Sequence, residues 1–277
     1  MDGILCIDKP ENMTSFDVVK KVRWLTKAKV GHSGTLDPMA TGVLVLALNK
    51  ATKALPYLGV SDKTYHTKLK LGLKTHTGDI WGDILETSDV HELPLDLIKE
   101  TLSSMLGDMT QRVPKVSAKK IDGKRSYQYV LDNQEVKELT TAITIHSIEF
   151  ISYQDDEIEF VAKVSNGTYI RTLCEDIADK LGTIGTMSYL RRTEVGPFKL
   201  ENCLKLEDID MNVSVLPTKK GIELPVIFDE SYSEDIKNGR RLKLDTDHDK
   251  VLLDAGEYFA VYERERDTVF KSVRGLW

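Results

Sequence analysis

The sequence predicts a mixed sheet flanked by helices, of the α/β or α+β class rather than a doubly wound one, with a small β-rich domain behind it. Three observations carry this. Strand-like and helix-like apolar patterns alternate irregularly up to about residue 200, whereas doubly wound folds alternate regularly. Polar residues and Pro217 interrupt the pattern between residues 212 and 224. Beyond that point only short strand-like runs remain. No internal repeat or low-complexity tract competes with this reading.

Each element has its own signal. Gly3-Ile4-Leu5-Cys6-Ile7 reads as a buried strand stopped by Asp8-Lys9-Pro10. Thr14-Ser15 offers an N-cap, and Val18, Val19, Val22 and Leu25 follow at helical spacing. A glycine-punctuated loop spans 31–42, and Val43 to Leu48 is a continuous apolar run of strand length. Lys63 to Leu73 alternates through Tyr65, Thr67, Leu69 and Leu71 as a half-buried strand. Leu95, Ile98, Leu102 and Leu106 share one face of a helix over 94–106. Residues 143–150 and 157–165 are β-rich and predict a hairpin around Gln154-Asp155-Asp156. Tyr169 to Leu181 reads as an amphipathic helix ended by Gly182. Further strands are expected at 226–228, 250–253, 258–262 and 269–273.

Composition narrows the function classes. The 277 residues are 41% hydrophobic and 30% charged, enough apolar material for a real core. That excludes a collagen-like, disordered or disulfide-stapled chain. With 44 acidic and 38 basic residues the net charge is -6, which argues at first sight against nucleic acid. Cys6, Cys174 and Cys203 are odd in number and far apart, without a CxxC pair. Neither a zinc site nor a disulfide framework is therefore expected. The start lacks a basic n-region, and no window approaches the roughly 18 apolar residues of a membrane span. The expectation is a cytoplasmic protein without a membrane partner.

The chemistry concentrates in Gly31-His32-Ser33-Gly34-Thr35-Leu36-Asp37-Pro38-Met39-Ala40-Thr41-Gly42. Glycines permit close backbone approach, and functional groups concentrate on such loops. The Lys-Ser/Thr ending of a P-loop is missing, as is dinucleotide spacing. His32 and Asp37 lack the Ser or Cys elbow of a hydrolase. The remaining histidines have no ligand spacing. From the residues alone, Asp37 is either a reactive carboxylate or the start of an Asp-Pro turn.

This loop resembles the active-site motif of the TruB-type tRNA pseudouridine synthases, Gly-His-x-Gly-x-Leu-Asp-Pro-x-Ala-x-Gly. Four more blocks match in order: Asp8-Lys9-Pro10 with Thr14-Ser15; Asp62-Lys63-x-Tyr65; Ser165 to Leu173; and Tyr189-Leu190-Arg191-Arg192-Thr193. A looser block runs from Val113-Pro114 through Ser117-Ala118 and Lys120 to Gly123-Lys124-Arg125. The resemblance covers residues 3–200. The C-terminal segment resembles a PUA RNA-binding domain, most clearly at Ile236 to Leu242.

The resemblance implies an α+β fold with a mixed, largely antiparallel sheet. It implies a catalytic domain over 1–215 and a PUA-like domain over 222–277. It implies conversion of the T-loop uridine at tRNA position 55 to pseudouridine, an isomerisation that needs no cofactor and no metal. Asp37 matches the nucleophile and Arg171 its partner, for which a lysine would lose two-point pairing. Tyr65 matches the tyrosine that stacks on the target, and its phenol is a candidate for removing the C5 proton. Tyr169, Leu190, His32 and Lys9 match substrate-binding positions. Tyr169 would orient Arg171 or Asp37, and Leu190 would touch the uracil. His32 would fill the gap left by the flipped base, and Lys9 would support the pocket. The expected partner is the tRNA T stem-loop, bound by a monomer with no obligatory protein partner. Competing readings are a non-catalytic RNA-binding or tRNA-folding protein and an RNA-guided relative.

Charge partition answers the objection from net acidity. Residues 18–36 hold Lys20, Lys21, Arg23, Lys27 and Lys29 without an acid, and residues 112–128 hold six bases against Asp122. Residues 201–277 hold 17 acids against 12 bases. The acidic excess therefore lies largely away from the proposed pocket, and RNA binding is expected to be local and moderately salt-dependent.

Overall fold

A computed structural model describes residues 1–114, 120–121, 124–125 and 139–277. Most of the looser basic block, and the basic run 112–128 that contains it, lie outside the described residues. A ten-stranded sheet forms the body of the molecule. In chain order its strands are β1 (Gly3–Lys9), β2 (Val30–Ser33), β3 (Thr41–Leu48), β4 (Lys63–Leu71), β5 (Gly107–Arg112), β6 (Thr140–Gln154), β7 (Glu157–Val164), β8 (Gly185–Val195), β9 (Phe198–Lys199) and β10 (Leu204–Lys205). Their spatial order is β10-β1-β3-β8-β4-β7-β6-β5, with β2 on β3 and β9 on β8. Only the β1–β10 and β3–β8 pairs are parallel. The sheet is mixed and largely antiparallel, as the α+β class requires.

The sequence patterns explain the layers. β3 is apolar throughout because both of its faces are covered. Leu44, Leu46 and Leu48 pack with Leu5 and Ile7 beneath helix α1 (Ser15–Thr26). Val43, Val45 and Ala47 pack with Ile4 and Cys6 on the opposite face. β4 instead alternates, burying Lys63, Tyr65, Thr67, Leu69 and Leu71. Helix α1 opens on a capping box: Thr14 Oγ1 accepts from Asp17 N at 3.0 Å and Asp17 Oδ2 accepts from Thr14 N at 3.2 Å. Its valines 18, 19 and 22 face the sheet. Helices α2 (Leu95–Ser103) and α3 (Ile170–Lys180) cover the rest of that face. The expected hairpin joins β6 and β7 through Asp155 and Asp156, whose φ angles are 51° and 58°. Two left-handed residues make a primed turn that matches strand twist.

The C-terminal region forms a five-stranded sheet. It contains β11 (Val226–Phe228), β12 (Leu242–Lys243), β13 (Lys250–Ala255), β14 (Tyr258–Arg266) and β15 (Val269–Gly275), in the order β11-β13-β14-β15-β12. Leu252, Val261 and Leu276 from this region join Val43 and Val45 in one apolar cluster. The second sheet thus covers the main-sheet face opposite α1 and α3. Among the described residues no helix is long and apolar enough to cross a membrane.

Two elements depart from the sequence expectation. The segment read as a loop over 31–42 begins with strand β2, whose His32 pairs with Leu46. Strand β8 carries no clear strand period in the sequence, yet it sits at the centre of the sheet between β3 and β4. Its pattern is hidden by two register shifts against β4 and by an inward-facing arginine, Arg192. Where β8 meets β3, Gly42 has φ +100°, and a Cβ there would lie 2.1 Å from Arg192 O. Positive φ and this contact both exclude a side chain. Gly42→Ala is expected to cost at least about 2 kcal/mol, measured by urea unfolding against the wild type.

Candidate active site

The sheet places several functional side chains on one face. Residues paired directly across strands share a face. Tyr65 pairs with Arg192 across β4–β8, and Leu190 with Thr67. Arg192 in turn pairs with Gly42 on β3. Tyr65, Leu190 and Arg192 therefore point to the side covered by α1 and α3. On that side lies a cavity of about 260 Å³, lined among others by Gly34, Asp37, Lys63, Tyr65, Asn166, Tyr169, Arg171, Leu190 and Arg192.

Asp37 stands on the loop between β2 and β3, and that loop is tied down from several directions. The Ser15 hydroxyl donates to Leu36 O at 3.1 Å and accepts from Leu36 N at 2.9 Å. Lys9 is fully buried, and its Nζ donates to Pro10 O, Met13 O and Pro38 O at 2.8, 2.6 and 3.2 Å. Arg192 donates from Nε to Val43 O at 2.8 Å and from Nη2 to Gly34 O at 3.0 Å. Leu36, Met39 and Ala40 anchor the loop in the same apolar core as Tyr65 and Leu190.

Arg171 approaches Asp37 from the first turn of α3. Its Nε lies 3.1 Å from Asp37 Oδ2, and its Nη1 donates to Thr77 O at 2.8 Å. The arginine side chain is 8% exposed and the aspartate 35%. The pair is half-sheltered, with the carboxylate reaching the cavity. Tyr169 precedes that helix, and Gln111 of β5 grips its main chain twice. Tyr169 N donates to Gln111 Oε1 at 2.8 Å and Gln111 Nε2 donates to Tyr169 O at 3.1 Å. Gln111 is 1% exposed.

The structure thus gathers five of the seven expected residues around one cavity: Asp37, Tyr65, Tyr169, Leu190 and Arg171. It does not place Lys9 or His32 in the lining. Lys9, expected among substrate-binding residues, directs all three protons to carbonyls and holds the Asp37-Pro38 turn. His32 is half-buried on β2, two residues before the lining begins at Gly34. Sequence reasoning missed Lys63, Arg192 and Gln111 as site residues. The first two stood inside matched blocks, so the signal was present. Gln111 had none, because a glutamine on an edge strand reads as solvent-facing.

Burial draws two lysines down. Lys9 falls to about 8 through burial, with Asp37 opposing the shift. Lys63 falls to about 8 through burial, reinforced by Arg192. Its Nζ donates to Val60 O at 3.0 Å, Ser61 O at 3.4 Å and Asn166 Oδ1 at 2.9 Å. The unfolded chain, with lysines near 10.5, holds more protons between about pH 8 and 10.5, so stability rises with pH in that window. Below pH 8 both states are charged and the burial penalty is fully present. Wild type is therefore expected to gain stability relative to Lys63→Met between pH 8 and 10, read by urea unfolding at each pH.

The chain resembles known proteins along most of its length. A family model described as "TruB family pseudouridylate synthase (N terminal domain)" matches residues 22–170. Another, "tRNA pseudouridylate synthase B C-terminal domain", matches residues 171–221. The two matched segments meet at the cavity: Asp37 comes from the first and Arg171 from the second. The protein named tRNA pseudouridine synthase B from Clostridium tetani is 38% identical, over 96% of this chain and 93% of that relative. The one from Clostridium kluyveri is 38% identical over 99% of both. A chain from "Crystal Structure of a Cbf5-Nop10-Gar1 Complex" aligns with a TM-score of 0.77 over 99% of this chain and 85% of that chain, at 24% identity, a likeness of fold.

Proposed function

This chain belongs to the TruB family of pseudouridylate synthases, and we propose that its cavity converts the T-loop uridine at position 55 of tRNA to pseudouridine, with Asp37 as nucleophile. The observation that carries this reading is the Asp37–Arg171 pair at a cavity walled by Tyr65 and Leu190. The reaction breaks the N1–C1′ bond, turns the base and forms a C5–C1′ bond. The C5 proton leaves and N1 gains one, so atoms and electrons balance without an oxidant.

A uridine inside a folded loop must first leave its stack. The Tyr65 ring, buried on β4, offers the stacking wall, and Leu190 offers an apolar one. The Asp37 carboxylate then attacks the nucleotide and forms a covalent intermediate, whose bond to Asp37 breaks again as the product is released, while the Arg171 guanidinium holds the carboxylate in line. The Tyr65 phenol removes the C5 proton after rejoining. His32, outside the lining, enters the gap left by the flipped base. Tyr169 sets the start of α3, and with it Arg171.

RNA meets the protein along the helical face. Ser15 ties α1 to the Asp37 loop, so this helix leaves directly from the cavity rim. Its outer side exposes Phe16 and Trp24, at 53% and 68%, with Lys20 and Lys27 over their rings. Residues 222–277 act as the PUA-like unit behind a catalytic unit of residues 1–215, and the monomer works in the cytoplasm. The C-terminal sheet contributes few phosphate contacts, given its acidic excess and its place on the opposite face.

Two experiments test this reading. Unmodified tRNA incubated with the protein is expected to gain pseudouridine at one T-loop position, mapped by carbodiimide labelling. Asp37→Asn is expected to lower the rate at least about a thousandfold. Lack of product from wild type, or full activity in the variant, would sink the reading. Separately, Lys20→Ala with Lys27→Ala is expected to reduce the slope of log affinity against log salt by between about one and two.

A further inference from the structure

We infer that Lys63 and Arg192 form an anion subsite in this cavity, which takes a backbone phosphate flanking the flipped uridine. The inference rests on the reading of the cavity as a nucleotide pocket. It starts from a charge imbalance. Lys63 is 7% exposed and Arg192 1%. Both line the cavity. The cavity's one lining carboxylate, Asp37, is engaged with Arg171. Asp62, next to Lys63 in sequence, lies 3.4 Å from His146 Nε2 and favours the Lys63 charge less than burial and Arg192 oppose it. Among the described residues, Lys63 and Arg192 donate only to carbonyl and amide oxygens.

Those oxygens solvate the two cations without neutralising them. Uncompensated buried charge is costly, and like charges held together add to that cost. The downward pull of Arg192 on Lys63 expresses this repulsion. Uracil and ribose are neutral, so neither balances the pair. The phosphate is the anionic part of a nucleotide.

The geometry also fits. Gly34 lies at φ +71°, and a Cβ on it would sit 3.4 Å from both Arg192 Nη1 and Lys63 Cε. The Arg192 guanidinium and the end of the Lys63 stem therefore flank the same stretch of bare backbone. Arg192 Nη1 makes none of the described hydrogen bonds, and the Lys63–Ser61 bond at 3.4 Å is long. These are the two donors an incoming phosphate oxygen would engage. Charge-assisted bonds of this kind are the stronger ones. Asn166, already holding Lys63 at 2.9 Å, fixes the ammonium at the cavity wall.

The test neutralises the phosphate and the lysine separately and together. T stem-loop RNAs carry one methylphosphonate, 5′ or 3′ of the target uridine, and binding is read as Kd. For wild type, one of the two replacements is expected to raise Kd roughly tenfold or more. Lys63→Met is expected to raise Kd for the natural RNA similarly, with little further loss on the modified RNA. The proposal is overturned if neither methylphosphonate changes wild-type Kd, or if the two losses multiply in full. A variant that fails to fold leaves the wild-type comparison decisive. Because Kd is read without turnover, absence of pseudouridine from natural RNA strikes the reaction assigned to the pocket and not the subsite.

Discussion

The Asp37 loop owes its shape to buried cations aimed at main-chain carbonyls. Lys9 reaches forward from β1 to Pro38, and Arg192 reaches across from β8 to Gly34 and Val43. An ammonium or guanidinium taken out of water must find oxygen partners, or the fold loses several kcal/mol. The loop carbonyls satisfy that demand, so loop and cations fix each other. The role proposed for Asp37 needs this kind of foundation. Small displacements of a reacting group are costly in rate, and a loop held only by its own turns would not prevent them.

A second consequence concerns where the pocket's two halves come from. Asp37 is carried by the β2–β3 loop, Arg171 by the start of α3. Gln111 on the edge strand β5 fixes the residue before that helix. The Asp37–Arg171 distance therefore depends on the sheet from β3 to β5, six of its strands in spatial order counting both ends. An arginine in a helix's first turn opposes the helix dipole. Here the carboxylate and the Thr77 carbonyl answer that mismatch.

Much of this was legible in the residues. The continuous run of β3, the alternation of β4 and the Asp155-Asp156 turn each declared their structure through period or turn chemistry. The glycine-rich loop declared the site, and the collinear blocks assembled most of the cavity. What escaped had physical reasons. β8 mixes Gly185, Ser188, Arg191 and Arg192, and its bulges break the period of two that marks a strand. Arg192 reads as a surface residue because burial of a charge is visible only once its carbonyl partners are in place. Lys9 was matched to substrate for want of the same information. Gln111 carries no pattern at all, since its role lies in a contact fifty-eight residues away in sequence.

The placement of β8 has a consequence for how the chain is made. It lies between β3 and β4, yet it is synthesised after both and after β5, β6 and β7. Until residue 195 has left the ribosome, β4 presents an open, hydrogen-bonding edge along its length, and β3, already paired with β1 and β2, is open only at Thr41 and Gly42. Unpaired edges of this kind recruit other strands, and pairings so distant in sequence form slowly. The halves of the sheet, with Asp37 on one side and Tyr65 on the other, meet only when the last central strand slides between them. The nascent chain therefore lacks the assembled cavity, and is open to misassembly, for about the first two thirds of its synthesis.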